Sequence, residues 1–176
     1  MKLVSTLDVT TYWLQDLLVA ESEIEHAAMS AETWVASNEL SKHMNEAALH
    51  SVSRATRLRH VTRTLGIDDC DLPSSTSHPV SHPSQAVSID SDDAALDLAA
   101  VSNIRRLLRS VLQLYSDVAT HAGRWTFADV STTARQIADE IAEEAEKLGR
   151  MSDTLGEAFR TEKGDDQEST SFGSTG

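Results

Sequence analysis

Glu21 falls within the line Leu14, Leu17, Leu18, Ile24, Ala28 and Val35, and Glu144 interrupts the line Ile137, Ile141, Leu148, Met151 and Leu155. Both lines recur at the three- and four-residue spacing of one helix face. A carboxylate in the middle of such a face must meet a cation, a metal ion or water, because burying it bare is costly. Glu25 lies close beside Glu21. Acids of this kind, turned inward from two helices, would make a shared polar or metal-binding centre. The bland alternative is a wet seam between helices.

A third stretch offers metal-ligand types at useful spacing. Glu39, His43, Glu46 and His50 form a stripe at intervals of four, three and four, and carboxylate and imidazole are common ligands of zinc, iron and manganese. The stripe is rotated away from Leu40, Met44, Ala47 and Leu58, so a solvated face is the expected reading. The residues that break the apolar face of that helix are Ser51, Arg54 and Thr62. Tyr115, on the inner line Val101, Ile104, Leu108, Val111 and Val118, has a hydroxyl that could reach a buried carboxylate. Arg105, Arg106 and Arg109 lie off that line and are expected to pair with acidic helices. Other chemistry is not signalled: the chain has no Gly-rich phosphate loop, no paired-Cys motif and no supported Ser/His/Asp arrangement. His78 and His82, in the repeated Ser-His-Pro, are ligands without partners.

Four helices are needed to position these groups, and no stretch alternates as a strand would. The first is expected over about 8–35, capped by Asp8 or Thr6. Ser37-Asn38 then turns the chain into a second over about 39–65, with Gly66 as its left-handed terminator. A third is expected over 94–122, capped near Ser91 and ended by Gly123. Thr126 and Asp129 resemble a capping box opening a fourth over 127–159. Between the second and third, residues 67–93 hold all three prolines and read as an extended connection. Its length, at roughly 3.3 Å per residue, exceeds that of a helix of about 40 Å. The organisation expected is therefore all-α: a four-helix bundle over 1–160, two antiparallel hairpins joined by one long crossover at 67–93, and a polar, disordered tail over 161–176.

Composition bounds the function. A chain of 176 residues with 40% hydrophobic residues suits one domain. It has no apolar run near the roughly 20 residues of a membrane span and no secretory signal pattern at its start, so a cytoplasmic location is expected. The single Cys70 makes no internal disulfide and reads as a surface thiol. A net charge of −13 repels nucleic acid and anionic membrane, and neither is an expected partner. Trp13, Trp34 and Trp125 are either anchors of an association surface or caps on the bundle ends.

Three segments carry a family resemblance. Leu14-Gln15-Asp16-Leu17-Leu18-Val19-Ala20-Glu21 resembles the first-helix signature of the small stress-associated ferritin-like proteins. Ser37-Asn38-Glu39-Leu40 with the helix ending Thr64-Leu65-Gly66 is similar to their second, and Glu143-Glu144-Ala145-Glu146-Lys147 to their last. The resemblance implies a bundle holding two metal ions between its helices. It gives Glu21 and Glu144 as matching carboxylate ligands; a metal-binding oxidoreductase of this type, with iron or manganese, would add Glu25 and His50, with His26 as an outlier. Departures are clear: Lys147 stands where a His is wanted, the second-helix positions fall near His50 and Arg54, and the third helix offers Leu108 and Val111 where a Glu is wanted. The expectation is a degenerate site without a resident metal, in which Arg54 bridges Glu21 and Glu144 and Lys147 assists. The protein would then act by self-association, as a homodimer, or by partner binding. The alternative is a metal-binding oxidoreductase, di-iron or mononuclear.

Overall fold

Ser5 caps the first helix, and it does so through a reciprocal pair. Its hydroxyl accepts from the Asp8 amide while the Asp8 carboxylate accepts from the Ser5 amide. Asp8 is thus a capping partner within the first turn, not the cap itself. The computed structural model describes residues 5–67 and 93–170, with side chains up to residue 161. The described residues form four helices and no strand: α1 (Thr6–Glu32), α2 (Asn38–Thr64), α3 (Asp93–Arg124) and α4 (Ala128–Thr170). The crossover, with Cys70, His78, His82 and the expected Ser91 cap, lies outside the described residues, as do 1–4 and 171–176. α4 continues ten residues into the stretch expected as a tail.

Sequence signals set the helix ends. Ser37 caps α2 by accepting from the Leu40 amide. At the other end Gly66 takes φ +74°, which lets the Ile67 amide donate to the Thr62 carbonyl. The end of α3 departs from expectation. Gly123 stays inside the helix, and Thr126, with φ +67°, occupies the left-handed position instead. The Phe127 amide then donates to the Ala122 carbonyl. Gly123 is needed for proximity: a Cβ there would come within 3.1 Å of Ser131 Oγ, whose hydroxyl donates to the Ala119 carbonyl across the turn. Thr126 therefore belongs to the end of α3, not to a capping box on α4.

Contacts between helices fix the topology. Glu21 faces Ser51 and Arg54, so α1 and α2 are antiparallel. Arg105 lies over Gly149, so α3 and α4 are antiparallel too. Trp13 meets His121 and Ala36 meets Asp97, which makes α1 antiparallel to α3. Arg54 meets Glu144 and Arg57 meets Glu140, which makes α2 antiparallel to α4. α2 and α3 consequently run in the same direction, and the chain must return the length of the bundle between them. The core between the helices holds Leu14, Leu17, Ile24, Met44, Leu58, Ile104, Leu108, Ile137 and Ile141, all at most 1% exposed.

The ends of the bundle are closed by side chains from distant helices. Trp13 stacks on Trp125 with ring centroids 5.4 Å apart, and His121 tilts against both. Trp34, at the α1–α2 turn, packs on the core. All three tryptophans thus sit at bundle ends. At the α1–α2 turn, Asp97 of α3 is buried and accepts hydrogen bonds from the Ala36 and Ser37 amides at 2.8 and 3.3 Å. One carboxylate therefore holds the α1–α2 turn against the start of α3. Asp97→Ala is expected to lower stability by about 1–3 kcal/mol, since two amides lose their acceptor. Asp97→Asn keeps one acceptor and should lose less; urea denaturation of the two variants checks the order.

Candidate functional site

The same periodicity that builds the core also sends polar groups from all four helices to its midpoint. Glu21 of α1 follows Leu14, Leu17 and Leu18 inward and is 1% exposed. Ser51 and Arg54 of α2 replace apolar residues on a face otherwise made by Leu40, Met44, Ala47 and Leu58, and each is 1% exposed. Tyr115 of α3 is fully buried. Glu144 of α4 is less deep, with 12% of its side chain exposed.

These five side chains form one network. Arg54 Nε donates to both Glu21 oxygens at 3.0 Å, and Arg54 Nη1 donates to Glu144 Oε2 at 2.8 Å. The Tyr115 hydroxyl donates to Glu21 Oε1 at 2.8 Å. The Ser51 hydroxyl approaches Glu21 Oε2 at 2.5 Å and the Glu21 carbonyl at 2.6 Å. Burial opposes the charge on Arg54, but Glu21 and Glu144 more than offset it and hold the guanidinium above its ordinary pKa. Burial, reinforced by the Glu21 charge, pushes the Tyr115 phenol well above its usual value and keeps it a donor. One atom goes unserved: Arg54 Nη2 is buried without a hydrogen-bond partner among the described residues.

Outside Arg54 the network opens into a groove of about 350 Å³ between α2 and α4, which pack far more loosely than the two helices of either hairpin. His43, Glu46, His50, Arg57, Glu140 and Lys147 line it. His50 Nδ1 stands 3.4 Å from Glu144 Oε1, linking groove to core. Arg57 and Glu140 close one part of the rim with a two-pronged ion pair, and the hydrogen bond from Arg57 lowers the Glu140 pKa. Lys147 Nζ lies 3.4 Å from Glu46 Oε2, and His43 Nδ1 lies 3.1 Å from the same oxygen. Both contacts lower the Glu46 pKa, His43 most.

Sequence reasoning located Glu21, Arg54, Tyr115 and Glu144, and the structure brings these four together. Lys147 does not join them, because it projects to the rim and meets Glu46. Glu25 is half-buried and has no hydrogen-bond or ion-pair partner among the described residues. His26 is exposed and bonds back to Ser22 within α1. The stripe from Glu39 to His50 borders the groove from His43 onward. Arg105, Arg106 and Arg109 make no ion pair with a carboxylate among the described residues; Arg106 bonds Asn103 instead. Ser51 was visible as a break in the apolar face but not as a ligand of Glu21. The Arg57–Glu140 pair had no local signal, since its partners are 83 residues apart.

The residues present do not fit a pair of metal ions. Arg54 places a fixed positive charge between Glu21 and Glu144, and Tyr115 and Ser51 occupy further lone pairs of Glu21. Among the described residues, no group of three His, Cys, Asp or Glu side chains is arranged to hold a metal ion. No described helix is long and apolar enough to cross a membrane.

Comparison with known proteins gives one family. The sequence pattern of the family described as Domain of unknown function (DUF892) matches residues 5–161, which include the whole network. No curated protein is similar enough to count as a match.

The geometry sets unequal costs. Arg54→Leu leaves Glu21 buried and uncompensated, and is expected to lose about 3 kcal/mol or more in urea denaturation. Tyr115→Phe removes one hydrogen bond to a charged acceptor, at about 1.5 kcal/mol or more. Lys147→Met, on an exposed pair, should stay within about 0.5 kcal/mol.

A pH prediction follows from Glu140, whose folded pKa lies below its usual 4.5. A depressed carboxylate stabilises the fold above its unfolded pKa and loses that contribution as pH falls through the folded value. Glu140→Gln should therefore flatten part of the acid loss of stability below about 4.5. Melting temperatures of both proteins, measured from pH 6 to pH 3, check it.

Proposed function

This chain belongs to the DUF892 family, and from that premise we propose that it is a ferritin-like helical bundle whose metal site has degenerated and which acts by association. The partner is a second copy of the chain or another protein, and the setting is a stress response in the cytoplasm. Neither nucleic acid nor membrane is part of this reading, in keeping with the charge of −13. The ferritin-like kinship draws support from parallel α2 and α3 between two antiparallel hairpins, the layout of bundles with one long crossover.

One observation carries the proposal: Arg54 Nε and Nη1 bind Glu21 and Glu144, the two carboxylates that the ferritin-like resemblance gives as metal ligands. A dication neutralises several carboxylates at once. Here a guanidinium with a permanent charge does so from within the chain. The oxidoreductase alternative needs Glu21 to present free oxygens to a metal or substrate, and hydrogen bonds from Arg54, Tyr115 and Ser51 already take them.

Protein purified from medium supplemented with iron and manganese is expected to hold neither metal in stoichiometric amount. Elemental analysis measures this directly. A purified chain carrying a pair of irons, with the near-ultraviolet absorption of a bridged pair, overturns the proposal.

A further inference from the structure

Arg54, Arg57 and Lys147 all reach carboxylates across the bundle. The arginines of α3 do not. Arg105, Arg106 and Arg109 make no ion pair among the described residues, in a chain with 28 Asp and Glu against 15 Lys and Arg. No Asp or Glu stands three or four residues from any of them, so their own helix offers no partner. Together with Ser102 and Ser110 they line a shallow depression of about 410 Å³ on the outside of α3, and no acid lines it among the described residues. Ser110 donates its hydroxyl proton to the Arg106 carbonyl at 3.1 Å, whereas the Ser102 hydroxyl has no partner among the described residues.

A niche in α4 holds Arg105 in place. Its guanidinium lies over Gly149, where a Cβ would come within 3.0 Å of Nη2 and 3.1 Å of Cζ. A glycine inside a helix weakens that helix relative to alanine. Here the glycine is buried and makes room for a cation. Arg105 Nε is also buried, without a hydrogen-bond partner among the described residues. Gly149 thus fixes a guanidinium that no carboxylate of its own chain neutralises. Arg109, one turn on, borders the same α3–α4 cleft, as do Glu146 and Asp153 of α4. Arg150 holds Glu146 at 2.6 Å, and neither acid comes within ion-pair distance of Arg105 or Arg109.

We infer that this face of α3 binds a diphosphate group, as the free ion or as a small ester, through Arg105, Arg106, Arg109 and Ser102. Planar guanidinium forks match the oxygens of a phosphoryl group in pairs. A carboxylate has its two oxygens in one plane and serves one fork, whereas a diphosphate has oxygens enough for several. The side chains of Arg105 and Arg109 start about 5–6 Å apart. Each can therefore take one phosphoryl group, with Arg106 and Ser102 on the outer oxygens. The net charge of −13 does not forbid this. At physiological ionic strength charges beyond about 8 Å are largely screened, so the nearby arginines decide. The site shares no residue with the Arg54 network and stands independently of the association reading.

Isothermal titration calorimetry of the full chain with sodium pyrophosphate, at low salt and without added metal, tests the inference. A dissociation constant of about 100 µM or tighter is expected, rising as salt is added. Arg105→Gln and Arg109→Gln should each weaken binding at least about tenfold, with the far-ultraviolet circular dichroism unchanged. Lys147→Gln, at the α2–α4 groove, should leave it within about twofold. Two further variants separate a built site from charge alone. Arg105→Lys keeps the charge and loses the fork, and Gly149→Ala keeps every charge and closes the niche. Each should weaken binding at least about threefold. ADP bound as tightly as pyrophosphate assigns the site to a diphosphate ester, and ADP bound much more weakly assigns it to the free ion. Pyrophosphate affinity weaker than about 1 mM overturns the inference. So does sulfate bound as tightly as pyrophosphate, or binding unchanged by both Arg105→Lys and Gly149→Ala, since charge alone then attracts the anion.

Discussion

The guanidinium of Arg54 makes a charged core tolerable. Two carboxylates from opposite hairpins approach the middle of the bundle, Glu21 out of reach of water and Glu144 largely so, and each would be costly alone. Arg54 gives each a fixed hydrogen-bonding partner, with Nε on Glu21 and Nη1 on Glu144. Such a cluster adds less net stability than well-packed hydrocarbon would. Its value is geometric. A slip of one residue in α1, α2 or α4 would strand a carboxylate or the guanidinium in hydrocarbon, so the correct register is strongly favoured.

That constraint divides the molecule into unlike sides. Toward α4, α2 presents side chains that find partners, and the loose α2–α4 contact becomes a polar groove with His50 between its wall and Glu144. Toward solvent, the α1–α2 hairpin keeps its acids and bases on separate helices and leaves Leu49 and Val52 uncovered. The Arg54 cluster satisfies the charges in the middle of the bundle.

Much of this was legible in the sequence because it is written in helical periodicity. Glu21 and Glu144 stood out as acids in apolar lines, Arg54 and Ser51 as breaks in an apolar face, and Tyr115 as a hydroxyl on an inner one. The position of a side chain on its helix could be read; its reach could not. Lys147 was grouped with the cluster because it is three residues from Glu144, yet its long side chain leads to Glu46 at the rim. Asp97 was missed because its partners are backbone amides about 60 residues away, and amides carry no residue-type signal. Gly123 was read as a helix end, but it answers to the proximity of Ser131, a tertiary demand that local sequence does not announce. α4 outran its expected end because its final residues are polar, and the apolar pattern used to bound helices had already stopped.

The cluster also bears on the order in which the chain folds. Its members sit at positions 21, 51, 54, 115 and 144, and no single hairpin contains both carboxylates. Each hairpin can form through its own short turn, at small loop-closure cost. The guanidinium can bridge its two acids only after the hairpins have docked across the long intervening segment. Closure of the cluster is then a late, non-local event of the kind that slows folding. It also penalises error: hairpins docked in the wrong register gain hydrocarbon contacts but bury an uncancelled charge, which disfavours them against the native register.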